Sequence, residues 1–357
     1  MSFEGRHFRK PVKFNSAVFN GGVSFDHATF DAGATFDAAT FAAPANFQYA
    51  TFVRAAYFKS AVFKSEADFS HAKFRNAADF DDAYFGGRVT FVGDGMDRVF
   101  DAADGCLSIR DATIEAPEQF SFRTLRLSPH WFVNVNARRF HFTNVDWKSY
   151  LLPPEKEGTG PTRKRHSADE GRKWRTMRAR TELIKLKGVW SRHAMLEEAC
   201  RNLAVNAEEN HRYEDASDFR YLAMDARRLS RWGGFAFWTL GWWYWLASGY
   251  GERIGRAFLV LLGVMVIFAA LYIRAGFPNW GTKTPPSQAA AETQPDGSDA
   301  RSQLPSALLY SAGVMTLQKP EPRPATDAAQ ALVILETILG PVQAALLALA
   351  IRRKFMR

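Results

Sequence analysis

Residues 14–91 read, in blocks of eleven, FNSAVFNGGVS, FDHATFDAGAT, FDAATFAAPAN, FQYATFVRAAY, FKSAVFKSEAD, FSHAKFRNAAD and FDDAYFGGRVT, and Phe91 opens an eighth block. Phenylalanine recurs at alternating spacings of five and six residues: Phe14, Phe19, Phe25, Phe30, Phe36, Phe41, Phe47, Phe52, Phe58, Phe63, Phe69, Phe74, Phe80, Phe85 and Phe91. Two residues before each stands a small apolar residue, from Val12 and Ala17 to Val89. Residues two apart share one face of an extended chain, so each Phe and its small partner point the same way. A fixed period of this kind marks a solenoid, and spacings of five and six track neither the helical nor the strand period. Four such faces close a square coil, in which the small residue lets the backbone come close and the Phe fills the axis. With coils about 4.8 Å apart, the regular part predicts about three and a half of them, roughly 17 Å of solenoid. The six-residue faces carry one extra turn residue, and Gly21-Gly22, Gly33 and Gly86-Gly87 fall there, where φ is free to turn positive.

This pattern resembles the pentapeptide-repeat family of right-handed quadrilateral β-helices, with Phe where many members have Leu. The match runs closely over residues 12–91, and the six-residue steps are its one departure. From residue 92 to about 150 the ladder loosens into short β-like runs, among them Cys106-Leu107-Ser108-Ile109, Phe120-Ser121-Phe122 and Phe140-His141-Phe142. These read as further coils that finish the solenoid and cover its open end, because a stack needs a cap.

The formal charge is +9 over 357 residues. Its location matters more than its size: residues 1–150 hold 17 Lys plus Arg against 17 Asp plus Glu, residues 151–232 hold 18 against 13, and the remainder 11 against 7. A neutral solenoid is not the acidic surface of a DNA mimic, and no nucleic-acid partner is expected. Cys106 and Cys200 stand far apart and frame neither a metal site nor a disulfide scaffold, which fits a reducing environment for the bulk of the chain. The first residues, MSFEGRHFRK, lack the apolar core of a cleaved signal.

Residues 151–172 are rich in Pro, Gly and charge and read as a linker; Arg163-Lys164-Arg165 within them is a solvated loop or a contact for an anionic surface. An α-helical hairpin segment follows over 173–232. One helix runs through Met177, Ile184 and Leu186, a second through Met195, Ala199 and Leu203, and a third through Ala216, Phe219, Leu222, Ala226 and Leu229, the last two joined near Asn210-His211-Arg212. This segment is similar to the helical hairpin that often links pentapeptide repeats to a membrane domain.

The remainder, 233–357, carries the apolar stretches. Trp238, Trp242, Trp243 and Trp245 crowd a segment, 235–247, too short to cross a bilayer core of about 30 Å. They read as anchors of an interfacial helix. Residues 254–273 and 328–351 form two candidate spans. Arg253 and Arg256 precede the first and Arg352, Arg353, Lys354 and Arg357 follow the second, which places both of these ends in the cytoplasm. Between the spans, 304–317 is apolar and too short to cross, the layout of a re-entrant helix. The order span, short helix, Thr316, then a span with Glu336 and Gly340 resembles the two-span ion-channel domain of the potassium-channel superfamily. It also resembles the membrane half that follows pentapeptide repeats in many bacterial proteins. Thr316 is followed by Leu317-Gln318-Lys319-Pro320, without the glycines of a potassium filter, so potassium selectivity is not expected. Gly249-Tyr250-Gly251 has the filter's letters ahead of the first span and reads as a turn.

An ionisable residue within a span is a candidate functional group. Glu336 shares a helical face with Gly340, Gln343 and Leu347, and that face points either to a pore or neighbouring subunit, or to the backbone of the re-entrant helix or Lys319 as structural partners. Gly340-Pro341 is a bend or a gating hinge. The candidate pore or gating residues are therefore Thr316, Gln318, Lys319, Glu336, Gly340 and Gln343. No histidine or carboxylate grouping has catalytic or metal-ligand spacing, and no phosphate-cradling glycine loop is present. The chain is expected to be no enzyme and to need no cofactor or metal. Two functions remain open. The leading one is a pore subunit of the bacterial inner membrane, not potassium-selective, in contact with the lipid bilayer and assembled as a homo-oligomer, a tetramer by resemblance, with both termini cytoplasmic. The other is a membrane-anchored scaffold whose solenoid holds a cytoplasmic protein partner.

Overall fold

The computed structural model describes residues 1–94, 99–100, 107–147, 192–232, 239–275, 300–318 and 326–355. Two compact units divide the chain, Met1–Gly234 and Phe235–Arg357.

In the first unit, short strands, most of two residues, fall into four parallel ladders of four, five, five and six strands. Neighbours over the regular part are 22 residues apart, as His7 beside Thr29 and Val62 beside Tyr84. One 22-residue coil therefore visits all four ladders and returns one layer further on, a β-solenoid. Each coil spans two of the eleven-residue blocks. That register sets Phe directly over Phe. The rings of Phe36, Phe58 and Phe80 stack at 4.7 and 4.6 Å, nearly parallel, while rings from neighbouring faces meet edge-on, as Phe47 and Phe58 at 5.6 Å. Offset stacks and edge contacts are the two favoured aromatic geometries. From Phe25 to Phe91 every ladder Phe is fully buried, and the small residues from Ala28 to Ala83 beside them are buried too.

The solenoid extends beyond the three and a half coils of its regular part, past Phe91 as expected and also ahead of Phe14, which was not expected. Its longest ladder is six strands deep, about 24 Å at strand spacing. Phe3 and Phe8 already keep the five and six spacing and stack on Phe25 and Phe30 at 4.9 and 4.8 Å. Met1 and Arg6 stand where the small partners would be, which hides them from a rule requiring both residues. Beyond Phe91 the register loosens: Val89 pairs with Phe120 and Ser121 with His141, yet the Phe91, Phe122 and Phe142 rings still stack at 5.3 and 5.5 Å.

The corners correct the expected role of the glycines. None of Gly21, Gly22, Gly33, Gly86 and Gly87 has a left-handed φ. The left-handed corners lie on the five-residue faces instead, at Ser16, His27, Ala38, Tyr49, Ser60, His71 and Asp82. A five-residue step has one residue fewer to turn the chain, so it turns through αL; the six-residue step has room to turn without it. Gly87 serves closeness, since a Cβ there would fall 2.5 Å from the carbonyl carbon of Ser65.

The C-terminal end is covered by helices rather than by coils alone. Helix α1 (Arg192–Glu209) and helix α2 (Tyr213–Trp232) form a hairpin joined through His211 at φ 56°. Buried Asn206 donates through Nδ2 to the carbonyls of Ala137, Arg138 and Phe140 at 3.2, 2.8 and 2.7 Å. Asn202 accepts from Arg138 Nε at 3.0 Å, and Trp147 meets the Phe219 ring edge-on at 5.0 Å. Leu196, Ala199, Leu203, Phe219, Leu222 and Ala226 join the solenoid core as one cluster. The expected linker over 151–172 and the helix through Met177 and Ile184 lie outside the described residues.

The second unit contains α3 (Leu240–Ser248), α4 (Ile254–Ala275), α5 (Ala300–Met315) and α6 (Asp327–Phe355). α4 and α6 are long and apolar enough to cross a membrane, and α5 is a shorter apolar helix. α6 continues through Pro341.

Two outcomes follow for the solenoid. Phe58→Ala removes a ring stacked on both sides and should cost about 3–5 kcal/mol, read as a lower guanidinium midpoint of the full chain, with Phe58→Leu losing less. Asp79 titrates above the ordinary aspartate range, because half-burial disfavours its charge and Asp81 adds repulsion, against the hydrogen bond from Asp81 N–H at 2.9 Å. A raised carboxyl pKa favours the folded state at acid pH, and that advantage is lost as pH rises through it. Asp79→Asn should therefore raise the unfolding temperature at pH 7, and the gain should vanish as the pH falls below about 4.

Candidate functional site

The polar residues of α6 are few, and helical spacing sets their direction. Glu336, Gly340 and Gln343 lie on one face, and the structure turns that face inward, onto α3, α4 and α5 of the same chain. Glu336 is fully buried. The hydroxyl of Tyr272 on α4 donates to Oε2, and that of Ser311 on α5 donates to Oε1. Ser311 Oγ also lies 3.2 Å from the carbonyl oxygen of Met265. Burying a carboxylate is tolerated only when it is hydrogen-bonded, and here each oxygen has a donor. The expected partners had been the re-entrant backbone or Lys319. The observed ones are two side-chain hydroxyls, and Lys319 lies outside the described residues.

Gly340 makes room for the end of α5: a Cβ would fall 2.9 Å from Met315 Cγ and 3.0 Å from its Cα. One turn further, Gln343 Nε2 donates to the carbonyls of Ala247 and Ala257, each at 2.9 Å. Ala247 is in the last turn of α3, where carbonyls lack helical partners. Glu336, Gly340 and Gln343 thus tie three other helices to α6, and Phe268, Tyr272, Tyr310, Val314 and Ala329 pack beside them.

Thr316 and Gln318 lie apart from this seam. Thr316 Oγ1 donates back to the carbonyls of Ala312 and Gly313 at 3.0 Å, and Gln318 N–H reaches the Gly313 carbonyl at 2.9 Å. With Leu317 at φ 61°, this is a left-handed helix cap. It consumes carbonyls rather than presenting them.

Near the start of α4, Gly249, Tyr250 and Gly251 all take positive φ. The Tyr250 carbonyl accepts from Tyr244 Oη at 2.8 Å and Arg353 Nη1 at 2.9 Å, so the turn is clasped against the end of α6. Arg353 also reaches Glu252 at 3.4 Å. The Trp242 and Trp243 rings meet edge-on at 5.1 Å, Trp243 is exposed, and the Arg256 guanidinium sits 4.2 Å from the centre of the Trp245 ring. Trp238 lies outside the described residues. No metal-holding group of His, Cys, Asp or Glu occurs among the described residues.

Sequence reasoning missed Tyr272 and Ser311. Each carried a signal, a hydroxyl placed within an apolar helix of the unit whose longest helix carries a carboxylate, Glu336, in its middle. Residues 3–51 and 47–93 match the family model described as pentapeptide repeats (9 copies). No curated protein and no solved structure matches the chain.

Glu336→Gln keeps the side-chain shape but turns one acceptor into a donor facing a hydroxyl. Thermal unfolding of the detergent-solubilised chain should show a loss of about 1–3 kcal/mol. A Glu336 directed at a pore would leave that stability unchanged.

Proposed function

We propose that this chain is a membrane-anchored scaffold. α4 and α6 span the bilayer, the tryptophans of α3 lie at its interface, and the solenoid, its four ladders forming a quadrilateral β-helix, offers its outer corners to a cytoplasmic protein partner. Length supports the anchoring: 22 and 27 apolar-rich residues extend about 33 and 40 Å at 1.5 Å per residue, against a bilayer core of about 30 Å. Arg253 and Arg256 at the start of α4 and Arg352 and Arg353 at the end of α6, with Arg274 alone at the opposite end of α4, favour both basic ends on the cytoplasmic side of a bacterial plasma membrane.

The observation that carries the scaffold over the pore is the inward seam. Its polar groups are used within the chain, and the outward side of α6 carries exposed Ile334, Leu335, Ile338, Leu339 and Val342. Such a surface suits lipid or a second copy. A pathway lined by it would dewet. The second reading, a non-potassium-selective pore subunit in a homo-oligomer, rests on α5, a short apolar helix packed between two membrane-length ones through Ser311 and Tyr310.

Reconstituted full-length protein should resist alkaline carbonate extraction and give no current in planar bilayers across voltages. Release by carbonate would sink the anchor. Unitary currents altered by Ile338→Asn would establish the pore instead.

A further inference from the structure

One corner of the solenoid carries rings the fold does not require. At the seven left-handed corners between Phe14 and Phe85, the side away from this column holds Ser16, Ala38, Ser60 and Asp82, all small or short. The facing column holds His27, Tyr49 and His71, whose rings stack at 4.7 and 4.9 Å within 18° of parallel. Histidine is readily accommodated in left-handed backbone and tyrosine is not, so Tyr49 between His27 and His71 is the outlier of the column. The stack is also accessible: Tyr49 is 47 % exposed and the His27 side chain 63 %.

Glycine flanks the three rings on both sides, Gly5 and Gly93, and the column continues past Gly93 to Thr124 and Asn144, so the two flanks differ. At Gly93 a Cβ would strike the Thr124 carbonyl at 2.5 Å, so close packing demands glycine. Around the Cβ direction of Gly5 there is nothing within 4 Å. The layer next to His27 therefore carries no side chain at this column position, and His27 is the exposed end of the ring stack. His27 Nδ1 lies 2.9 Å from Asp26 Oδ1. A carboxylate only accepts, so Nδ1 carries the proton and Nε2 of the neutral ring becomes an acceptor. Glu4 and Asp26 immediately precede column positions, and Asp68 accepts from Gln48 Nε2 at 2.5 Å beside Tyr49.

We propose that the His27–Tyr49–His71 column docks an arginine-bearing segment of a protein partner. A guanidinium is a planar cation: it stacks on an aromatic face and forks its N–H donors to a carboxylate. The exposed His27 ring with Asp26 at its edge supplies both contacts, and an ammonium uses only the charge. Carboxylates along the column oppose a nucleic-acid backbone. This deepens the scaffold reading by naming the partner's chemistry, and its test is independent of bilayer retention and of conduction.

The full chain in phosphatidylcholine nanodiscs, which carry no net lipid charge, is titrated with fluorescein-labelled Gly-Arg-Gly-Arg-Gly and with its lysine counterpart, read by anisotropy. The arginine peptide should bind several-fold more tightly. His27→Ala and Asp26→Asn should each weaken it about two- to five-fold, while Tyr49→Phe and Ser60→Ala leave it unchanged. Equal binding of the two peptides by the unaltered chain would overturn the proposal, whatever the variants do to folding. So would indifference to His27→Ala and Asp26→Asn, or tighter binding of an oligouridine than of the arginine peptide.

Discussion

The solenoid depends on one constraint, the hydrogen-bonded register that brings each residue over the one 22 positions earlier. Once the backbone is paired that way, side-chain positions are no longer independent. A Phe placed once must be followed by a Phe one coil later, or the axis has a void. The Phe58 N–H, for example, donates to the Asp79 carbonyl at 2.6 Å while its ring lies between Phe36 and Phe80. Backbone pairing and ring stacking share one repeat of about 4.8 Å. Neither has to be strained to satisfy the other, and the repeat can be traversed many times without error accumulating.

Register also creates a difficulty at the ends. A coil stack finishes in unpaired backbone groups and half-covered rings, and a repeat has no internal means of stopping. This chain breaks its own period first, stepping from Val89 to Phe120 and from Ser121 to His141. It then presents carbonyls of the Ala137–Arg139 turn and of Phe140 to a single asparagine. Asn206 answers three of them from a helix. A helix can supply this because its own backbone is already satisfied, leaving side chains free for the exposed turns of the last coil.

The ladder was legible because its period is short, unbroken and carried by one residue type. Its beginning was less so: Phe3 and Phe8 keep the spacing, but Met1 and Arg6 do not keep the small-residue partner. Corner geometry was misread from glycine, since the left-handed positions are held by Ser, Ala, Asp, His and Tyr, which no composition rule selects. The two hairpin helices were visible in their periodicity, but their role as a cap was not, because a buried Asn looks like any polar residue until its partners are known. The same holds for the membrane-length helices. Glu336, Gly340 and Gln343 were readable as one face, whereas the direction of that face depends on Tyr272, Ser311 and Met315, which lie 64, 25 and 25 residues away.

That direction bears on what the second unit can do. Helices meeting in an apolar medium gain little from burying further apolar surface, and they associate through small residues and interhelical hydrogen bonds. Glu336 with two hydroxyls, Gly340 against Met315, and Gln343 with two carbonyls are those devices, placed at successive turns of α6. Thr326 extends the same logic beyond the seam, since its Oγ1 donates to the Ala275 carbonyl at 3.1 Å and joins the far ends of α4 and α6. These polar groups hold four helices in one arrangement, each through partners within the chain. The outward surface that remains is largely apolar, and the exposed Thr337 on it turns its hydroxyl back to the Val333 carbonyl at 2.7 Å.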